Sequence, residues 1–281
     1  MADALRARIR AGQLRPGDRM PTQAELSREF EVERGAVRQA LRILQEENLL
    51  INVTKGSPAT VADDAPAALA PHSAPPQPTM VALASRITEA FQSDHVEIDA
   101  LCLTAVSLTL AFGEPLRLIH EGRIKPAKVT VRVLLPSRDI DLAFPTPVAD
   151  GNDARLHRRW LSQRNAQGQV LQHNLRNLRR THGIDVNITF RALPFTPPVK
   201  LYLLNGSEAL FAYYMITKQE EQFDDREPLE MYDTVGTRSM LFPFDRDAGG
   251  QRDSTFVEQS QLWFDAIWNT ISQDLTLAAE A

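Results

Sequence analysis

The stretch from Pro16 to Leu49 constrains this chain most, because apolar residues recur there at helical spacing on both sides of a short break. Ala24, Leu26, Ser27 and Phe30 share one helical face. Glu31-Val32-Glu33 interrupts the run, and Val37, Ala40, Leu41 and Leu44 resume it at steps of three and four. Thr22, followed three residues later by Glu25, is a capping box that predicts a helix start near Gln23. The second helix carries Arg34, Arg38 and Arg42 at steps of four, so three guanidiniums line one side while the apolar side is buried. A helix lying in a DNA major groove needs that division of faces.

The flanking residues extend this pair into a small module. Leu5 and Ile9 form the seam of a first helix over Asp3 to Gly12, and Pro16-Gly17-Asp18 supplies a tight turn. Leu49 to Val53 reads as a strand, Lys55-Gly56 as a turn, and Ala59 to Val61 as a returning strand. Three helices and a hairpin make a winged helix-turn-helix. The run LRPGDRMPTQAELSREFEVERGAVRQALRILQEENLL, within the first 61 residues or so, resembles the DNA-binding domain of the GntR family of bacterial transcription regulators. The resemblance implies that the arginine of the turn, those of the recognition helix and the wing glycine approach DNA, which here are Arg19, Arg34, Arg38 and Gly56. The full candidate set is Arg19, Thr22, Arg28, Arg34, Gly35, Arg38, Lys55 and Gly56. Arg34 and Arg38 suit either a guanine edge or a phosphate, while Arg19 and Arg28 suit the backbone. The chain departs from the family's usual glycine, serine and threonine at Glu31, Glu33 and Gly35, and has Pro58 in place of a second wing glycine.

Charge divides along the same line. Residues 1–61 hold 10 Arg plus Lys against 8 Asp plus Glu, a net of +2, and the remainder holds 21 against 28, a net of -7. Only the front end is thereby suited to phosphate, and the acidic remainder suits a ligand or a second copy of itself. Cys102 is the single cysteine, which excludes an intramolecular disulfide, and its apolar surroundings predict a buried thiol. No apolar run is long enough for a membrane span, so the expected location is the cytoplasm. The histidines show no metal-ligand spacing, and no cofactor or catalytic set is implied.

Residues 62–79 contain 5 prolines and 6 alanines, a composition expected to give an extended, semi-rigid linker. From residue 80 to 281, strands alternate with helices and then follow one another. The expected strands include 96–103, 128–135, 184–192, 199–204 and 209–217, and the expected helices 80–91, 107–120, 153–180 and 255–275. That order describes an α/β sandwich with a mixed central sheet. Pro198, Lys200 and Asn205 occupy the frame in which the phospholipase D superfamily has histidine, lysine and aspartate, and the order of elements resembles one half of such an enzyme. Without the histidine there is no nucleophile. The resemblance therefore implies a non-catalytic receptor in which Lys200 attracts a phosphate or carboxylate and Asn205 orients it. Thr104 and Ser107 follow the first strand of this region, where α/β pockets open, and complete the effector-binding candidates. The arginines of helix 153–180 read either as charge-paired surface or as a second DNA contact.

The expected function is a dimeric, sequence-specific DNA-binding repressor controlled by a small effector. The alternatives are a phosphodiesterase-like enzyme with a DNA-binding head and a constitutive regulator whose rear domain only dimerises.

Overall fold

A computed structural model describes residues 1–10, 13–53, 58–63, 65, 75–149, 151, 153–223, 228–235, 239–247 and 250–277. The chain divides into two compact units, one over Met1–Ser73 and Asp247–Arg252 and a larger one over Ala74–Arg246 and Asp253–Ala281.

The first unit holds helices α1 (Ala2–Arg10), α2 (Gln23–Glu29) and α3 (Arg34–Glu46), then an antiparallel hairpin of β1 (Leu50–Ile51) and β2 (Thr60–Val61). Leu5, Ile9, Leu26, Val37, Leu41, Leu44, Leu50 and Val61 meet in one core, so every element contributes its apolar face to the same interior. The capping box is present: Thr22 Oγ1 accepts from the Glu25 amide at 3.3 Å, and the Thr22 amide donates to the Glu25 carboxylate at 2.7 Å. Between α2 and α3 the backbone reverses through Glu31, held in the left-handed region at φ 53°. The predicted wing turn at Lys55 and Gly56, and Gly12 at the predicted end of α1, lie outside the described residues.

The expected linker over 62–79 is built in at both ends. Ala62 and Ala65 are buried in the first core. At the other end Gln77–Pro78 forms a strand, β3, in the main sheet of the second unit, and a helix starts at Thr79.

The second unit is built on an eight-stranded mixed sheet. Its elements are α4 (Thr79–Ala90), β4 (His95–Leu101), α5 (Val106–Ala111), α6 (Gly113–His120), β5 (Lys128–Pro136), β6 (Thr146–Pro147), α7 (Ala154–His182), β7 (Asp185–Leu193), β8 (Val199–Leu204), β9 (Glu208–Tyr213), β10 (Ile216–Glu221), β11 (Leu229–Thr234), β12 (Met240–Asp245), α8 (Gly250–Thr270) and β13 (Gln273–Asp274). The strand order is β13-β7-β5-β4-β8-β9-β12-β3, with β4, β5 and β7 mutually parallel and the other neighbours antiparallel. Alternation along the central strands sends Val96, Ile98, Val129, Val131, Val133, Ile188 and Tyr202 to the core under α4 to α7. The opposite alternation sends Leu101, Leu134, Leu193, Leu201 and Leu203 to a second core against Val257, Phe264 and Trp268 of α8. The result is the α/β sandwich with a mixed central sheet.

The helix expected over 107–120, with Pro115 either kinking it or beginning a second piece, is in two pieces divided at Phe112, and Pro115 sits in the first turn of the second, where its missing N–H costs nothing. Two boundaries differ from expectation. The strand expected over 209–217 ends at Tyr213. Ile216–Glu221 instead opens a hairpin with β11 that joins β6 in a separate three-stranded sheet of order β10-β11-β6. The closing helix ends at Thr270 rather than near Leu275, because Gln273 and Asp274 hydrogen-bond to β7 as a strand.

Candidate functional site

In the first unit, α3 buries Val37, Ala40, Leu41 and Leu44, which turns Arg34, Gly35, Arg38 and Gln39 to solvent. The other arginines differ in their partners. Arg6 pairs with Glu47 at 2.7 Å, Arg8 with Glu29, and Arg42 with Glu46 at 3.0 Å, so these brace helices. Among the described residues no carboxylate pairs with Arg19, Arg28, Arg34 or Arg38, and all four are exposed. Arg19 is bridged through its backbone to Thr60, and the neighbouring Met20 amide donates to the Ala59 carbonyl at 2.7 Å. The turn that bears Arg19 is thus stitched to β2. Thr22 is already occupied, since its hydroxyl lies 2.7 Å from the Glu25 carboxylate as well as accepting from the amide. The Thr22 hydroxyl and the Thr22 amide, both donating to the Glu25 carboxylate, hold that carboxyl below its ordinary range. Glu33 stands at the N-cap of α3 with no side-chain cap bond, beside the exposed Glu31.

In the second unit, a cavity of about 250 Å³ opens beyond the carboxyl end of β4. Thr104, Ser107 and Lys200, three of the predicted effector residues, line it together. Lys200 is only 2% exposed, and its ammonium lies 5.2 Å from the centroid of the Tyr214 ring. Burial pulls its pKa down to about 8. The loop with Thr104 is clamped on both sides: the Leu103 amide donates to the Tyr214 hydroxyl at 2.6 Å, and the Trp160 indole N–H donates to the Leu103 carbonyl at 3.2 Å. Cys102, directly before that loop, is fully buried, and desolvation pushes its thiol up to about 12.

The fourth predicted residue, Asn205, is not on the cavity wall. Its side-chain carbonyl accepts from the Glu97 amide at 2.8 Å, and its amide nitrogen donates to the Ala90 carbonyl at 3.0 Å. Lys200 and Asn205 are five residues apart along β8 and its end, which separates them by roughly 17 Å, and Asn205 clips the far end of the sheet to α4. Pro198, at the histidine position of the motif frame, accepts the Tyr214 amide on its carbonyl at 3.3 Å.

Several wall residues were not predicted as ligand contacts. Arg159 of α7 reaches across to the carboxylates of Glu221 on β10 and Asp233 on β11. Arg159, Asp233 and Gln219 all line the cavity, as do Trp160, Gln163 and Tyr214. Arg159 was legible only as one arginine of a basic helix, and Asp233 belongs to a strand the sequence did not announce. Three other arginines of that helix are engaged in packing or pairing. Arg155 pairs with Asp153 and Arg179 with Asp185, while Arg164 is buried and donates to the Pro136 carbonyl at 2.6 Å. Among the described residues, no group of three or more His, Cys, Asp or Glu side chains could hold a metal ion, and no helix is long and apolar enough to cross a membrane.

A three-helix unit with a two-stranded wing and an outward basic helix defines the winged helix-turn-helix class. The family described as "Bacterial regulatory proteins, gntR family" matches residues 1–61. That segment is a GntR-family winged helix-turn-helix domain. Over 53 residues the chain is 47% identical to the mannosyl-D-glycerate transport/metabolism system repressor MngR of Escherichia coli (strain K12), a match covering 19% of this chain and 22% of that protein. The chain thus spans about a fifth of the length of the curated relative it matches. Among solved structures, TrmBL2, described as an archaeal chromatin protein with a novel mode of DNA binding, superposes with a TM-score of 0.34 and 13% identity. That alignment covers 91% of this chain and 88% of the other, and at that score it carries no argument.

Proposed function

We propose that the protein is a sequence-specific DNA-binding transcription regulator, acting as a repressor in the cytoplasm, whose larger unit binds a small effector. The observation that carries this reading is the outward face of α3 in a GntR-family domain, where Arg34 and Arg38 are exposed and engaged by no carboxylate among the described residues. Guanidiniums so placed can fork onto a guanine edge or clasp phosphate. Two copies related by a two-fold axis would read a near-palindromic operator.

The effector reading rests on the cavity. Its ionisable wall groups are Lys200, Arg159 and Asp233, a net charge of +1 when all are ionised. Hydroxyls and amides from Thr104, Ser107, Gln163 and Gln219 surround them. A compact polar ligand with one anionic group complements that wall. Bound preferentially in one arrangement of the dimer, it would shift the population between operator-competent and incompetent spacings.

Selection from random duplexes, followed by fluorescence anisotropy, tests the DNA-binding half. Arg38→Ala is expected to cost about 1–3 kcal/mol on the selected site and to relax discrimination at one base pair. Uniform weakening across sequences would make Arg38 a phosphate contact. If the intact protein prefers no duplex over random competitor at moderate salt, the reading fails.

A further inference from the structure

The three-stranded sheet has an open edge, and its sequence is self-complementary. β10 hydrogen-bonds to β11 on one side; among the described residues no strand pairs with its other side. Such an edge presents a row of free amides and carbonyls to any strand that matches it.

Within the hairpin one charge is badly placed. Glu220 stands directly opposite Glu230, a like-charge pair that disfavours the sheet. Lys218 serves the two unequally: its ammonium lies 2.6 Å from the Glu230 carboxylate and attracts Glu220 only from a distance along its own strand. Among the described residues no cation forms an ion pair with Glu220. The face that carries Lys218 and Glu220 also carries Ile216, 53% exposed, and Tyr232, 43% exposed, so apolar surface lies open beside the unmatched carboxylate.

A two-fold axis perpendicular to a sheet must pass midway between the two copies of one residue of the edge strand, because facing residues have to share a face. Centred on Lys218, a second β10 would set ammonium against ammonium. Centred on Gln219, it sets Lys218 of each copy against Glu220 of the other, Thr217 against Glu221, and Gln219 against itself. The second register supplies the missing cation to both copies of Glu220 at once.

We infer that a second copy of this chain adds across β10, antiparallel and centred on Gln219, to form a continuous six-stranded sheet. This names the surface for the dimer in the proposed function and rests on that reading for the pairing itself. It also joins pairing to ligand sensing. Gln219 lines the cavity, and Glu221 is held by Arg159 on the cavity side. The strand that meets the second copy is therefore also a wall of the cavity, and a ligand that moves this wall alters the angle between the two copies.

Gln219→Cys in the full-length protein tests the register. Facing Cα atoms on an antiparallel pair lie about 4.5–5.5 Å apart, within disulfide reach, and the native Cys102 is buried and does not compete. Mild oxidation should give a covalent dimer with Gln219→Cys. It should give none with Thr217→Cys, whose copies would be roughly 14 Å apart. In sedimentation equilibrium, Glu220→Lys should weaken the dimer roughly ten- to hundredfold, and the double swap Lys218→Glu with Glu220→Lys should restore it. A protein that sediments as a dimer and binds its operator, yet yields no Gln219→Cys disulfide and ignores the charge swap, would overturn this interface while leaving the regulator intact. A monomer with full operator affinity would overturn the interface and the dimeric reading together.

Discussion

Glu31 shows how a single residue can be legible in sequence and explained only by conformation. A carboxylate at this position departs from the glycine usual in the family, and the structure holds it at φ 53°, where a side chain crowds the backbone. Glu31→Gly should therefore raise the stability of the first unit by about 1 kcal/mol, the left-handed penalty less the added flexibility of glycine. Urea melts of the two proteins at one pH check this, and an unchanged or lower midpoint would contradict it. Lys200 carries the opposite lesson. Its position was legible from a broken motif, but its burial was not, since an edge-strand lysine with its head in solvent reads identically. Because its pKa falls to about 8 in the folded protein, the unfolded chain binds the extra proton between pH 8 and the usual lysine value. Stability should rise with pH across that window and carry the full cost below it, on the order of 3 kcal/mol. Lys200→Met should flatten the rise and increase the melting temperature at pH 7, and a parallel pH profile in the variant would refute this.

At the scale of elements, legibility followed how completely a segment commits its faces. α2 announced itself through Thr22 and Glu25, and β5 through KVTVRVLL, whose alternate residues enter the core under α4 to α7. The β10–β11 hairpin did not. ITKQEE and LEMYDT mix polar residues with Ile216 and Tyr232 on their outer face, and of their cavity-side residues only Met231 is a buried apolar group, so neither strand has an alternation to read. The wall of the cavity was invisible for that reason, while its floor at Thr104, Ser107 and Lys200 was not. α3 has a weakness of its own, because Glu33 occupies the N-cap without making the cap bond. Glu33→Ser should stabilise α3 by about 0.5–1 kcal/mol through a bond to the first-turn amides. A thermal midpoint no higher than the parent's would show that the cap is already satisfied in another way.

For the whole molecule, the two units divide the physics between them. The first is small, carries a net of +2 over residues 1–61 and exposes the arginines of α3; the second is acidic, larger, and holds several of its arginines in internal pairs. Arg132 is typical, chelating Asp99 and Asp265 beneath α8 and lying 5.1 Å from the Phe264 ring centroid. Under the proposed function this division would keep duplex contact in the first unit. What the charge counts could not convey was the cavity, which depends on residues from the loop after β4, α5, α7, β8 and the hairpin converging across more than a hundred positions of sequence.

The clamp on Leu103 has a practical corollary. The indole that makes it, Trp160, is one of three tryptophans, and it alone stands on the cavity wall, since Trp263 is exposed on α8 and Trp268 is packed against Phe264. With Phe at 263 and 268, the protein would carry a native optical probe on the wall of the cavity to which the proposed function assigns the effector. A titration that shifts its emission would report occupancy without any attached dye, and silence in the presence of a tightly held guest would locate that guest elsewhere.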